Sequence, residues 1–217
     1  MSSEVYSLQF LLLKALRLSL IAGDAIMEVY GRSDFSIEMK EDNSPLTLAD
    51  KTSNSIIVDG IKDFGIPVLS EEGSEISWEI RKDWERYWLI DPLDGTKEFI
   101  KRNDEFTVNI ALMEKNIPIL GVVYLPVLKC LYFALKGHGA YRLEQVEQVD
   151  LNVEFEQILN NSTRLPDQRK GEGIKVVASR SHLSQETEVF IKELKGKGEK
   201  IDLVPAGSSL KLCLIAE

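Results

Sequence analysis

The chain has 217 residues, 44% of them hydrophobic, with 14 glycines and 7 prolines, enough to bury a real core as one large domain or two small ones. Its formal charge of -9 argues against a nucleic-acid polymer bound over a broad surface, because such binding depends on clustered Lys and Arg. A small phosphorylated ligand held through metal ions stays open. The two cysteines, Cys130 and Cys213, each stand alone in an apolar run without a partner at metal-ligand or framework spacing. They read as small buried hydrophobes, in keeping with a reducing cytoplasm.

The Leu-rich stretch from Leu8 to Ile26 is not expected to span a membrane, because Lys14, Arg17 and Asp24 interrupt it and no basic segment precedes it as in a signal peptide. Leu8, Leu12, Leu16, Ile21, Ala25 and Val29 recur roughly every three to five positions, which predicts an amphipathic helix with one buried face and a stop at Gly31. The polar run Lys40 to Pro45 leads into Thr47-Leu48-Ala49-Asp50, the expected start of a second helix reaching about Phe64, with Ile57, Ile61 and Phe64 buried. Two short apolar runs follow. Ile66 to Leu69 stops at Ser70-Glu71-Glu72-Gly73, and Tyr87 to Ile90 stops at Asp91; both read as buried strands tipped by acids.

From Phe106 to Leu143 the runs Phe106 to Met113, Ile117 to Leu125, Leu128 to Leu135 and Ala140 to Leu143 alternate with tight punctuation, which predicts an antiparallel meander. The polar stretch Glu144 to Gly173 is the expected inter-domain crossing. This divides the chain into an N-terminal α+β domain, 1–143, and a C-terminal α/β domain, 144–217. The second holds a strand over Ile174 to Ala178, a helix over Glu186 to Leu194, a strand over Ile201 to Val204 and a helix from Leu210. That last helix runs to Glu217 without a stop signal, so the chain looks cut short and the second domain incomplete.

The chemistry concentrates in Asp91-Pro92-Leu93-Asp94-Gly95-Thr96. A strand ending at Asp91 and a turn forced by Pro92 would set two carboxylates side by side, an arrangement that needs cations to neutralise it; all-oxygen ligands of this kind suit Mg²⁺. Glu71 would add a third carboxylate from a neighbouring strand, and the Leu93 carbonyl a further oxygen. Gly95 and Thr96 would turn backbone N–H groups toward a metal-bound phosphate. Taken alone, the run could equally be a surface turn; the apolar strand before it and the acid-tipped strand ending in Glu71 favour a site. Thr47-x-x-Asp50 carries two readings as well. Asp50 either closes a helix capping box or accepts a proton from the Thr96 hydroxyl, which would in turn orient or deprotonate the attacking water.

Four ordered motifs carry a resemblance over nearly the whole chain: Ser44-Pro45-Leu46-Thr47-Leu48-Ala49-Asp50, Ser70-Glu71-Glu72, Trp88 to Thr96, and Gly207-Ser208-Ser209-Leu210-Lys211. Together they resemble the lithium-sensitive, magnesium-dependent phosphomonoesterases of the inositol-monophosphatase superfamily. Lys97 to Asn103, Phe106 to Leu112 and Ser179-Arg180-Ser181-His182 look like the bacterial CysQ-type 3'(2'),5'-bisphosphate nucleotidases within it. The resemblance implies a layered αβαβα sugar-phosphatase-like fold and two or more Mg²⁺ ions. It also implies removal of the 3'-phosphate of adenosine 3',5'-bisphosphate to give AMP, in sulfate assimilation and nucleotide metabolism.

By the same resemblance, Glu71, Asp91, the Leu93 carbonyl and Asp94 bind metal. Asp50 and Thr96 activate water beside Glu71, and Gly95 and Thr96 hold phosphate. Glu71, Leu93 and Asp94 also face the substrate, while Ser179, Arg180, His182, Ser208, Ser209 and Lys211 bind the nucleotide. Lys211 or Arg180 suits the phosphate that is not cleaved, and His182 could equally be a solvated loop residue. A cytoplasmic protein is implied, with a homodimer and a peripheral place on the cytoplasmic face of the inner membrane both open. The family's further metal-binding Asp, in a Trp-Asp-x-Ala-Ala stretch after the Gly-Ser-Ser helix, is absent before Glu217. The chain as it stands would then be weakened or inactive. An inositol monophosphatase, and a metal- and nucleotide-binding protein without catalysis, are the alternatives.

Overall fold

The structure, a computed structural model, describes residues 6–32, 38–39, 45–146, 153–167, 174–179, 184–196 and 200–217. The first helix, α1 (Leu8–Tyr30), starts at Ser7, whose hydroxyl accepts the Phe10 N–H at 3.1 Å, and ends at Gly31 as expected. Its buried stripe runs through Leu12, Leu16, Ser19, Ala22, Ile26 and Val29. Ile21 departs from expectation and is 54% exposed: five positions after Leu16, it sits roughly 140° round the helix from it. At Gly23 an added Cβ would lie 2.3 Å from Tyr124 Cε1, so a side-chain-free position lets α1 lie close against the sheet.

A two-residue pair, β1 (Glu38–Met39) and β2 (Pro45–Leu46), precedes α2 (Leu48–Ile61). A 3₁₀ turn over Lys62–Phe64 prolongs α2 to the expected end, where Gly65 takes φ 66°. Ile57 and Ile61 are buried. Phe64 instead packs at the margin of the core, edge-on to Tyr6 and Phe10.

The core sits between these two helices and a seven-stranded sheet. Its strands are β3 (Val68–Ser70), β4 (Arg86–Asp94), β5 (Thr107–Glu114), β6 (Ile117–Leu125), β7 (Cys130–Leu135), β8 (Gly139–Leu143) and β9 (Thr163–Leu165), in that spatial order. The β3–β4 pair is parallel and every other neighbouring pair antiparallel, so the expected meander is present. Trp88, Ile90, Val108, Ile110, Leu112, Val122 and Tyr124 form the buried side of the sheet in period-two alternation. Short helices α3 (Trp78–Arg81) and α4 (Thr96–Lys101) flank β4 in sequence.

Three expectations are corrected here. β4 does not stop at Asp91 but runs through Pro92 and Leu93 to Asp94, with a register shift between Asp91 and Asp94. A bulge is where a sheet tolerates a residue without an N–H. Nor is β4 buried on both sides, since Leu89 is 41% exposed. The stretch expected to be a crossing also contains structure: α5 (Phe155–Asn160) buries Phe155 and Ile158 in the core, and β9 pairs with β8. The first sheet therefore reaches past residue 143 to Leu165.

The remaining elements are β10 (Ile174–Ser179) and β11 (Ile201–Ala206), paired in parallel, with α6 (Gln185–Gly196) and α7 (Leu210–Ala216). Cys130 and Cys213 are free and buried, and they share an apolar cluster with Leu125, Tyr132, Ala206 and Leu210 that joins this part to the sheet. Arg142 and Tyr132 both donate to Glu217 Oε1 at 2.6 Å, fastening the end of α7 to β7 and β8. No helix among the described residues is long and apolar enough to cross a membrane.

Candidate active site

Because side chains alternate along β4, Trp88 and Ile90 point into the helix-covered core while Leu89 and Asp91 face the other way. Glu71 reaches the same side by register. Its N–H donates to Ile90 O at 3.0 Å, one position beyond the Ser70↔Ile90 pairing. Glu71, Asp91 and Asp94 thus line one end of a cavity of about 800 Å³ whose walls also include Asn109, Ser209, Leu212 and Cys213. The sheet and the element after β11 therefore meet at the acids.

The carboxyl groups are under electrostatic stress. Burial, then the charges of Asp94 and Glu71, push Asp91 up to about 8, and a hydrogen bond joins it to Glu71. Two carboxyl groups hydrogen-bond only by sharing a proton. Asp91 Oδ1 is buried and has no partner among the described residues. Burial likewise raises Asp94, opposed by the Ser209 N–H and by the charge of Lys211; that N–H donates to Asp94 Oδ2 at 2.5 Å.

Among the described residues, no three Asp, Glu, His or Cys side chains are already gathered as an ion cage. Asp91 hydrogen-bonds Glu71, and Asp94 accepts the Ser209 N–H. The residues nonetheless fit a divalent cation. An orphaned carboxylate oxygen and a pKa held far above its ordinary value both mark a place short of positive charge, and every available donor is a hard oxygen.

Asp50 answers to both of its sequence readings. It is 1% exposed, and its Oδ2 accepts the Thr47 N–H at 2.7 Å and the Thr47 hydroxyl at 2.5 Å, closing the capping box of α2. Its Oδ1 accepts the Thr96 hydroxyl at 3.1 Å. Burial raises its pKa, opposed by the Thr47 and Thr96 hydrogen bonds. The Thr96 hydroxyl also approaches Leu93 O at 3.3 Å. Leu93 packs its side chain in the core at 2% exposure, and Ser53 holds the preceding carbonyl, Pro92 O, at 2.7 Å.

Gly95 opens α4 at φ 94°, where an added Cβ would stand 3.0 Å from Glu105 O and 3.2 Å from Ser208 Cβ. The Gly207–Lys211 segment closes over it. Gly207 N–H donates to Glu105 Oε2 at 2.8 Å, and Lys211 Nζ donates to Ser208 O at 2.6 Å. Ser209 contributes its N–H to Asp94, while its hydroxyl lies among Thr107 and Asn109. Ser179 ends β10, and Arg180 and His182 lie outside the described residues. The residues sequence reading missed as site neighbours are Thr107, Asn109 and Glu105. The available signal was the pairing of β5 with β4, which sets Asn109 opposite Asp91 and Thr107 opposite Asp94.

Comparison with known proteins shows the family and the fold. The sequence profile of the inositol monophosphatase family matches residues 8–217. The 3'(2'),5'-bisphosphate nucleotidase CysQ of Salmonella typhimurium is 46% identical over 199 residues, covering 90% of this chain and 72% of that protein. Among solved structures, CysQ from Bacteroides thetaiotaomicron superposes with a TM-score of 0.86 at 45% identity, over 97% of this chain and 77% of that one. The extragenic suppressor protein suhB from Bartonella henselae, at 24% identity and a TM-score of 0.70, shares the layered α+β fold.

Proposed function

Because the chain belongs to the inositol monophosphatase family, we propose that it is a magnesium-dependent phosphomonoesterase that converts adenosine 3',5'-bisphosphate to AMP and phosphate. Two features support it. One is the 46% identity to a 3'(2'),5'-bisphosphate nucleotidase over 90% of the chain. The other, which carries the chemistry, is the buried Asp91 Oδ1, without a partner among the described residues, beside Glu71 and Asp94, with Thr96 close after it in the chain and hydrogen-bonded to Asp50.

Glu71, Asp91, Asp94 and the Leu93 carbonyl would hold Mg²⁺. Bound there, Mg²⁺ supplies Lewis acidity to the phosphoryl oxygens and lowers the pKa of a coordinated water. The chain's own part is proton handling. Thr96 Oγ donates its proton toward Asp50 Oδ1 and keeps lone pairs to accept from a water. As that water attacks phosphorus, its proton passes to Thr96 Oγ while the Thr96 proton moves to Asp50, leaving a neutral hydroxyl and a neutral acid; the bond from phosphorus to the 3'-oxygen breaks, the departing oxygen takes a proton from solvent to become the 3'-hydroxyl of AMP, and Asp50 returns its proton to solvent. Burial makes Asp50 a stronger base than an exposed carboxylate, which suits the task.

Gly95 and Thr96 N–H groups would steady the phosphoryl oxygens. Ser208, Ser209 and Lys211, with Ser179, Arg180 and His182, would meet the nucleoside and the 5'-phosphate, for which Lys211 supplies a cation. Such a reaction belongs in the cytoplasm, where sulfate activation and sulfotransfer generate the substrate, and a homodimer is the assembly to test by sedimentation.

Phosphate release from adenosine 3',5'-bisphosphate and from inositol 1-phosphate, each with Mg²⁺, is the deciding measurement. The nucleotide should be the better substrate by kcat/KM. A preference for the inositol ester would replace the proposal with an inositol monophosphatase. Mg²⁺-dependent nucleotide binding without turnover would replace it with a binding protein.

A further inference from the structure

On the acid-bearing side of the sheet, three side chains from two parts of the chain close a ring. Ser209 Oγ donates to Asn109 Oδ1 at 2.8 Å, and Asn109 Nδ2 donates to Thr107 Oγ1 at 3.2 Å. Thr107 Oγ1 and Ser209 Oγ lie 2.8 Å apart. The one proton of Ser209 is committed to Asn109, so Thr107 is the donor in that last contact. Every donor then points the same way round, from Thr107 to Ser209 to Asn109 and back, and each bond polarises the next.

The ring stands directly beside the acids. Asn109 is the cross-strand partner of Asp91 and Thr107 that of Asp94, on either side of the register shift in β4. Thr107 has no exposed surface, so its hydroxyl cannot fall back on water. What the ring fixes is Ser209, and the Ser209 N–H donates to Asp94 Oδ2 at 2.5 Å. No bond in the ring involves Asp94 itself; its effect on the acid passes through the Ser209 backbone.

We infer that Thr107 and Asn109 are positioning residues for the acidic site: by locking Ser209 in a closed hydrogen-bond ring they hold its N–H on Asp94 Oδ2 and so orient that carboxylate. With one oxygen fixed, the other has a defined direction in which to meet a cation, and the Gly207–Lys211 segment is tied to the sheet at the same point. The inference deepens the proposed function and rests on it in one respect, that Asp94 is a Mg²⁺ ligand.

The test uses Thr107→Val, which keeps the shape and removes the hydroxyl, Asn109→Ala, and Thr107→Ser, which restores the hydroxyl. Two quantities are read on the metal-free chain: hydrogen exchange of the Ser209 amide, and the affinity for Mg²⁺ alone by titration calorimetry. Thr107→Val and Asn109→Ala should each speed Ser209 exchange and weaken Mg²⁺ by about ten-fold, the scale of one lost buried hydrogen bond, with Thr107→Ser within about two-fold of the parent. Unchanged Mg²⁺ affinity in both variants would overturn the inference, as would a Thr107→Ser protein as weak as Thr107→Val, since packing rather than the hydroxyl would then be responsible. Should either variant fail to fold, Ser209→Ala keeps the N–H, removes the ring and carries the same expectation. If the parent chain binds no Mg²⁺, the functional reading fails by itself, and the exchange comparison still decides whether the ring holds Ser209.

Discussion

Thr96 Oγ1 lies 3.1 Å from Asp50 Oδ1, while the other oxygen of the same carboxylate closes the capping box with Thr47. One buried acid therefore starts a helix with one oxygen and faces the reacting centre with the other. The two roles can be separated by substitution at the two partners.

Asp50→Asn puts an amide where an acceptor must receive the Thr47 N–H. It should lower stability by about 1 kcal/mol, the usual scale for a lost cap, and lower kcat by roughly 100-fold or more through loss of the base. Thr96→Val leaves the capping box intact, so kcat should fall by a similar factor while the unfolding midpoint stays near that of the parent. Denaturant melts alongside steady-state rates would check both. A Thr96→Val protein with full turnover would remove Thr96 from the proton path.

The metal-free chain should lose stability as pH rises. Asp91 sits at about 8 in the folded protein against an ordinary 3.8, mainly through burial and then through Asp94 and Glu71. A carboxyl group raised on folding contributes stability that is fully present below its unfolded pKa and is lost as pH rises through the folded one. The window is therefore about pH 4 to about pH 8. Thermal melts in chelator across that range should show a decline, and saturating Mg²⁺ should flatten it.

Asp91→Asn should uncouple stability from function. An amide carries no charge into the buried site, so the metal-free variant should melt above the parent, by a margin that widens from about pH 4 to about pH 8. Mg²⁺-dependent phosphate release should disappear, and calorimetry should show Mg²⁺ binding lost with it. Wild-type turnover in this variant would remove Asp91 from the metal set.

Gly95→Ala tests the entry to α4. The backbone stands at φ 94° and the new methyl would lie 3.0 Å from Glu105 O, so the substitution should destabilise the protein by about 1–2 kcal/mol. Because Thr96 follows directly, kcat should drop as well. An unchanged melting temperature would show that the segment relaxes without loss.

Much of the fold was legible in the sequence because period and punctuation agreed: the helix ending at Gly31, the meander from β5 to β8, and the short strand that ends just before Glu71. The Thr47–Asp50 pair was legible for the same reason, as a polar pair at the start of a helix, and Glu71 and Asp94 stand at the ends of their strands. Pro92 misled. A proline after an acid reads as a turn, and only the pairing with β5 shows that the ladder is interrupted there and β4 continues. Strand β9 is three residues long, too short for any alternation to register. Thr107 and Asn109 stayed hidden for a different reason, since their partner Ser209 lies about a hundred positions away in the chain and no local pattern announces such a contact.

The parallel pairing of β3 with β4 has one more consequence. Trp88 N–H donates to Pro67 O at 2.8 Å and Glu71 N–H to Ile90 O at 3.0 Å, so the register of Glu71 against Asp91 is set by ladder bonds at both ends of the pair. The intervening excursion, with Trp78 and Ile80 each more than 60% exposed, takes no part in that registration. Shortening that excursion or exchanging it for a foreign loop should therefore leave Glu71 and Asp91 in the same register.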